Sequence, residues 1–116
     1  MNLPKVVLGE NDRAIYFSRS PVPHNRGVEI KDWLKQDDYF KHIGIYAYRK
    51  DVLATIAVLE PSKTERMEQL EQLRWLSNGI DIRAVETVIE GISVDTQEDL
   101  DAAIVYLNDL KAKKVP

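Results

Sequence analysis

The period of the apolar positions changes several times along the chain, and each change predicts an element. Lys5-Val-Val-Leu8 and Ala14-Ile-Tyr-Phe-Ser18 are β-branched and aromatic runs, separated by the polar, Gly-containing Gly9-Glu-Asn-Asp-Arg13; together they predict two paired strands of a β-hairpin. Pro21 and Pro23 remove two N–H donors and favour extended backbone before each ring, so the chain through Gly27 is expected to be irregular. A loop or short helical turn should continue through Asp32-Trp-Leu34 to Asp38. From Phe40 to Arg49 the residues alternate, which predicts a strand: Phe40, His42, Gly44, Tyr46 and Tyr48 share one face, and Ile43, Ile45 and Ala47 the other. Its aliphatic face should be buried against a helix, while its other face presents an imidazole and two phenols. Asp51 to Leu59 reads as a short helix ended by Glu60-Pro61.

Ser62 or Thr64 can cap the next helix, in which Met67, Leu70, Leu73 and Leu76 recur every third residue and Asn78-Gly79 supplies the stop. On that wheel Glu71 and Gln72 fall on opposite rims of the apolar arc, where both can look over the core's edge toward a cleft. Ile82 to Ile89 reads as a strand. Thr96-Gln-Glu-Asp99 has the spacing of a capping box, and Leu100, Ala103, Ile104, Leu107 and Leu110 form the apolar stripe of a final helix. Lys111, Lys113 and Lys114 follow at its C-terminal end, where positive charge suits the helix dipole. The predicted order is β-β-loop-β-α-α-β-α, with three helices covering one face of three or four strands and a sheet edge left open for a partner.

Composition narrows the class. The 116 residues are 44% hydrophobic and 30% charged, which fits a single globular domain over residues 1–116 stabilised by apolar burial. The absence of cysteine excludes disulfides and Cys-ligated metal centres and leans toward a reducing compartment. With 16 basic against 19 acidic residues the formal net charge is -3, so no broad basic surface for nucleic acid or anionic lipid is indicated. No run approaches the roughly 18 to 20 apolar residues of a membrane span, and Met1 to Glu10 lacks the pattern of an export signal, so a cytoplasmic protein without membrane or nucleic-acid partners is expected. No hydrolase-type Ser motif accompanies His24 or His42, and no nucleophilic triad can be drawn.

Four segments stand in an order and spacing that resemble one enzyme family: Ser18-Arg-Ser-Pro-Val-Pro23, Lys41-His-Ile-Gly-Ile-Tyr-Ala-Tyr-Arg49, Leu70-Glu-Gln-Leu-Arg74 and Val94-Asp-Thr-Gln-Glu-Asp-Leu100. The chain resembles the C-terminal half of the 3-deoxy-manno-octulosonate cytidylyltransferases, the CMP-Kdo synthetases, from Lys5 to about Ala103. The resemblance implies an α/β fold of α+β character, the C-terminal part of a nucleotide-diphospho-sugar transferase-type mixed sheet with a β-hairpin and three helices. It also implies the family reaction: the anomeric hydroxyl of the eight-carbon sugar acid Kdo attacks the α-phosphate of CTP, with magnesium, to give CMP-Kdo and pyrophosphate for lipopolysaccharide synthesis. The family's N-terminal half, with its phosphate loop and first metal-binding Asp, has no counterpart in this sequence, and the loops around Gly9, Gly27 and Gly91 do not fit a triphosphate cradle. The chain therefore reads as the sugar-binding and dimer-forming part of such an enzyme, a homodimer able to engage CTP only with the missing half, and without turnover alone.

The resemblance sharpens individual residues that have ordinary readings as well. Arg19, between a strand and the Pro-Val-Pro turn, can grip a sugar carboxylate bidentately, although a solvated Arg is commonplace there. His42 and Tyr46 can bond sugar hydroxyls, or be a half-buried pair satisfied within the fold; Tyr48 can equally be packing. Glu71 and Gln72 match the family's Glu-Gln beside the sugar, against the plain reading of two good helix formers meeting water. Asp95 matches the family's second magnesium-binding carboxylate, yet an acid at a helix start is favoured by the dipole anyway. Ser93 and Gln97 stand where the family's motif has Gly and Pro, and His24-Asn25 replace its commoner Trp-Asp before Arg26, whose role is left open. Two other readings remain: a non-catalytic sugar-acid-binding or dimerisation module, and a cytidylyltransferase for an amino-substituted Kdo or another sugar acid.

Overall fold

A computed structural model describes residues 3–89, 94 and 96–113. The chain forms two compact units, Met1–Val85 and Glu86–Pro116.

In the first unit the predicted hairpin forms with the expected bounds, β1 over Lys5–Leu8 and β2 over Ala14–Ser18. Its connection turns through Asn11 and Asp12, both at positive φ (56° and 58°), a conformation that Asn and Asp tolerate better than most residues. Strand β3, Phe40–Lys41, pairs with the other edge of β1, so the sheet order is β2-β1-β3 and both pairings are antiparallel. Val6 lies opposite Phe17 on one side and Phe40 on the other, which puts three large apolar side chains in a row. Val6, Ala14, Phe17, Leu70 and Leu73 make the core, flanked by Leu8, Tyr16, Phe40, Leu76 and Ile82.

Two predicted strands are much shorter than the alternation suggested. The strand expected over Phe40 to Arg49 ends at Lys41, with one further bond from the His42 amide to the Pro4 carbonyl at 2.8 Å. The reason lies in the partner: continuing the antiparallel register sets His42 against Pro4, which has no N–H to return. The aliphatic face expected to be buried is mostly open: Ile45 is 84% exposed and Ala47 is exposed, while Ile43 is half-buried. The strand expected over Ile82 to Ile89 reduces to a bridge between Arg13 and Arg83, bracketed by bonds from the Ala14 amide to Ile82 O and from the Ala84 amide to Asp12 O. Beyond Ala84 the partner chain enters the hairpin turn, so no extended backbone remains to pair with.

Helix α1, Lys50–Ile56, occupies most of the predicted Asp51–Leu59 segment. The single helix expected after Ser62 is broken into α2, Lys63–Glu68, and α3, Gln72–Ser77. Ser62 is the N-cap, in a complete capping box with Glu65, and Gly79, at φ +74°, follows the last turn of α3 as the stop that Asn78-Gly79 predicted. The break falls at Gln69, which is left-handed at φ 54°, ψ 47°, a conformation costing a non-glycine residue about 1–2 kcal/mol. One consequence is that Met67, expected on the apolar stripe, is 74% exposed, whereas Leu73 is almost fully buried. The Arg74 guanidinium ties the two helices together, donating from Nε to Glu65 Oε2 at 2.8 Å, from Nη2 to Oε1, and from Nη1 to the Leu59 carbonyl at 2.9 Å.

The irregular Pro-containing segment is organised on Trp33, in a 3-10 turn over Ile30–Lys35, where a short helical turn was expected. Its Nε1 donates to the Val28 carbonyl at 2.9 Å, and its ring stacks on Tyr39 and receives the edge of His24. The Val22–Pro23 peptide is cis.

In the second unit, α4 runs over Gln97–Lys113. Its predicted capping box is present: the Thr96 amide donates to Asp99 Oδ2 at 3.0 Å, and the Asp99 amide donates to Thr96 Oγ1 at 3.2 Å. Asp95 and Lys114 lie outside the described residues. Among the described residues no helix is long and apolar enough to cross a membrane.

Candidate functional site

Where β3 gives out, the chain from His42 to Tyr48 delivers three polar rings to the side of α3. The His42 ring stands edge-on to Phe17 of β2, with centroids 5.2 Å apart, and its Nε2 is 2.6 Å from the Tyr46 hydroxyl. Tyr46 and Tyr48 stack on one another at 6.0 Å and both meet Trp75 of α3 edge-on, at 5.2 and 5.6 Å. Such edge contacts place the positive rim of one ring against the negative face of another and fix their orientation.

Partial burial sets the charge state of the pair. It lowers the pKa of His42, so the imidazole is neutral near pH 7. It pushes the Tyr46 phenol up to about 12, with the neighbouring Tyr48 and the Glu71 carboxylate adding to the effect. Glu71 likewise raises Tyr48, after burial, so its negative charge is felt by both rings. Glu71 itself is exposed and occupies the N-cap position of α3. The next residue is its opposite: Gln72 is 5% exposed, and its Nε2 has no hydrogen-bond partner among the described residues. An unpaired buried amide costs about 1–3 kcal/mol, and native folds retain few of them.

Arg19 sits one segment away, at the exit of β2, and most of its guanidinium is already engaged. Nε donates to the Glu68 carbonyl at 2.8 Å and Nη2 to the Gln69 carbonyl at 3.0 Å, and Nη1 is the donor nitrogen left without a hydrogen bond among the described residues. The Glu68 carboxylate in turn accepts from the Ser18 hydroxyl at 2.7 Å and the Arg19 amide at 3.0 Å.

The structure thus brings His42 and Tyr46 into direct contact and sets Glu71 and Gln72 at the start of the helix that carries Trp75. It joins Arg19 to the carbonyls immediately before that helix. Asp95 lies outside the described residues, and among those described no group of three or more His, Cys, Asp or Glu could hold a metal ion. Magnesium commonly takes one or two carboxylates together with waters and substrate phosphates, a smaller protein ligand set than such a group. A cavity of about 350 Å³ is lined by Pro23, His24, Asn25, Asp37, Asp38 and Tyr39, none of which belongs to the cluster. Sequence reasoning passed over Trp75 as a site residue, although its positions three and four residues after Gln72 and Glu71 put all three within one turn. Glu68 gave no signal at all, because its partners are about fifty positions away.

A family model described as cytidylyltransferase matches residues 1–82. The 3-deoxy-manno-octulosonate cytidylyltransferase of Phocaeicola vulgatus is 51% identical over 107 residues, covering 92% of this chain and 42% of that protein. The enzyme of the same name from Cytophaga hutchinsonii is 52% identical over 100 residues, 85% of this chain and 40% of its own. A solved structure of CMP:2-keto-3-deoxy-manno-octonic acid synthetase complexed with CTP superposes with a TM-score of 0.77 at 40% identity, covering 97% of this chain and 43% of that one. The chain spans about two fifths of the length of these relatives. With a matching family model over most of its length, it belongs to the cytidylyltransferase family.

Proposed function

We propose that this chain supplies the sugar-acid-binding half of an enzyme that transfers CMP from CTP to Kdo. In that reaction the anomeric oxygen of Kdo forms a bond to the α-phosphorus, the bond from that phosphorus to the bridging oxygen of the β-phosphate breaks, pyrophosphate leaves, and the hydroxyl proton passes to solvent. The observation that carries the reading is the buried Nε2 of Gln72, without a hydrogen-bond partner among the described residues, beside Glu71 on the helix whose Trp75 orients Tyr46 and Tyr48. A neutral imidazole, a protonated phenol, a carboxylate and an amide form a mixed donor and acceptor set of the kind that reads adjacent hydroxyls. In this reading His42, Tyr46, Glu71 and Gln72 bond the polyol, and Arg19, through its remaining nitrogen, meets the sugar carboxylate. The names of the relatives and the CTP-bound neighbour support the same reaction.

The nucleotide and magnesium then require residues beyond those described; Asp95 offers one carboxylate toward the metal, and the rest come from an N-terminal half of the family type. Phosphoryl transfer by positioning and electrostatics needs no protein nucleophile, which agrees with the side chains at hand. We further propose a cytoplasmic homodimer over residues 1–116, contributing to lipopolysaccharide synthesis.

Calorimetric titration of the 116-residue chain with Kdo tests the binding half of this proposal, with His42→Ala and Gln72→Ala as controls. Saturable heat that both variants abolish is the expected result; identical heats in all three proteins sink the site. Incubation with CTP, magnesium and Kdo should yield CMP-Kdo only after a cytidylyltransferase N-terminal half is added. Product formed by the chain alone overturns the division of labour, while sugar binding without product on complementation favours a non-catalytic binding module.

A further inference from the structure

The run Ser62 to Ser77 contains neither Pro nor Gly and carries its own N-cap, so nothing in its composition demands a break. Nevertheless it is interrupted at a left-handed Gln69, at the loss of Met67 from the core. The carbonyls of Glu68 and Gln69, which a continuous helix would pair with the amides of Gln72 and Leu73, instead accept from Nε and Nη2 of Arg19. The Leu73 amide turns back to the Leu70 carbonyl at 3.2 Å. On the other side of the same junction, the Glu68 carboxylate accepts from Ser18 Oγ and from the Arg19 amide, and Ser18 Oγ also accepts from the Ser20 amide at 3.0 Å. Two residues from the end of α2 are therefore joined to two residues at the exit of β2 by four hydrogen bonds, each with one charged partner.

We infer that Glu68 and Arg19 form a latch that breaks the helix at Gln69 and thereby sets Glu71 and Gln72 beside the His42–Tyr46–Trp75 cluster, making Glu68 a positioning residue of the proposed sugar-acid site. Glu68 touches no substrate in this account; it acts through the backbone of Arg19 and through the place where α3 starts. In a continuous helix Met67, Leu70, Leu73 and Leu76 would share one apolar face, and Glu71 and Gln72 would lie on its two rims. In the broken arrangement Met67 is released, Gln72 turns in and Glu71 turns out. The role in sugar binding rests on the functional reading above, whereas the role in breaking the helix does not.

The test separates the two. In isotope-labelled chain, a contact between the Hα of Gln69 and the Hβ of Gln72 reports a continuous helix and is absent from the broken one. Arg19→Ala and Glu68→Ala should each gain this contact and shift the Gln69 backbone coupling to a right-handed helical value. Retention of the left-handed signature in both folded variants overturns the latch and assigns the break to local sequence, such as the bond from Gln69 Nε2 to Arg66 O. If an alanine variant fails to fold, Arg19→Lys replaces it, since lysine keeps the charge but donates from a single nitrogen; the same signature decides. Titrated with Kdo, Glu68→Ala should bind about tenfold more weakly, because the apparent affinity falls with the fraction of molecules in the competent arrangement, and Glu68→Gln, which keeps one acceptor, should recover part of that loss. A helix that becomes continuous without weakening Kdo binding overturns the positioning role. Absence of Kdo binding in the unmutated chain removes the sugar reading and the positioning role with it, while the Gln69 signature still decides the latch.

Discussion

The hydroxyl of Tyr46 and Nε2 of His42 are 2.6 Å apart, and the two rings approach at 5.5 Å between centroids. Because Tyr46 holds its proton up to about pH 12 and burial keeps His42 neutral, the phenol is the natural donor and Nε2 the acceptor, which leaves the imidazole proton on Nδ1. Nitrogen chemical shifts of His42 should therefore show the Nδ1–H tautomer near pH 7. In Tyr46→Phe the bond that favours the neutral ring is gone, so the His42 pKa should rise and stability should fall by about 1 kcal/mol. A fall in that pKa would reverse the donor assignment.

Gln72 separates stability from binding. Replacing it with Met keeps the length of the side chain and removes a buried Nε2 that has no hydrogen-bond partner among the described residues. Thermal unfolding of Gln72→Met should be unchanged or shifted upward, while Kdo titration heat should disappear. A large drop in Tm would show that the amide is satisfied within the fold.

Acid should destabilise the first unit in two steps. Burial depresses His42, so its folded pKa lies below the unfolded value near 6.5; its contribution is complete above that pH and declines as pH falls further. Glu65 is lowered chiefly by the hydrogen bond from Arg74. For Glu68 burial pushes upward, but the bonds from Ser18, the Arg19 amide and Tyr16, together with the Arg19 charge, outweigh it and the net shift is downward. Both carboxylates stabilise fully above their ordinary value near 4.5 and lose that contribution as pH falls below it. Tm followed from pH 8 to pH 3 should show both declines, and Glu68→Gln should reduce the lower one alone.

Core and cap substitutions should scale with what they touch. Leu73 is 1% exposed, so Leu73→Ala should cost about 2–5 kcal/mol in chemical denaturation. Ser62→Ala removes one half of a capping box and should cost about 1 kcal/mol. Met67→Ala, at an exposed position, should stay within about 0.5 kcal/mol. A cost for Met67→Ala comparable with that for Leu73→Ala would mean that the helix is continuous in solution.

What the chain by itself determined is whatever depends on neighbours a few residues away. The hairpin over Lys5–Leu8 and Ala14–Ser18, the Ser62 cap, the Gly79 stop and the Thr96–Asp99 capping box are local agreements between side chain and backbone, and all are present. The pairing of His42 with Tyr46 was half legible, since alternation put them on one face while leaving their contact open. What only the tertiary structure decided depends on a partner far along the chain. Alternation from Phe40 to Arg49 cannot reveal that the facing residue is Pro4, where the ladder runs out of donors. An apolar stripe cannot reveal that Arg19, some fifty residues earlier, takes the carbonyls of Glu68 and Gln69 and splits the helix. Periodicity records which side of an element is apolar, but a hydrogen bond across the fold fixes where that element stops, and here the stopping points position Glu71 and Gln72.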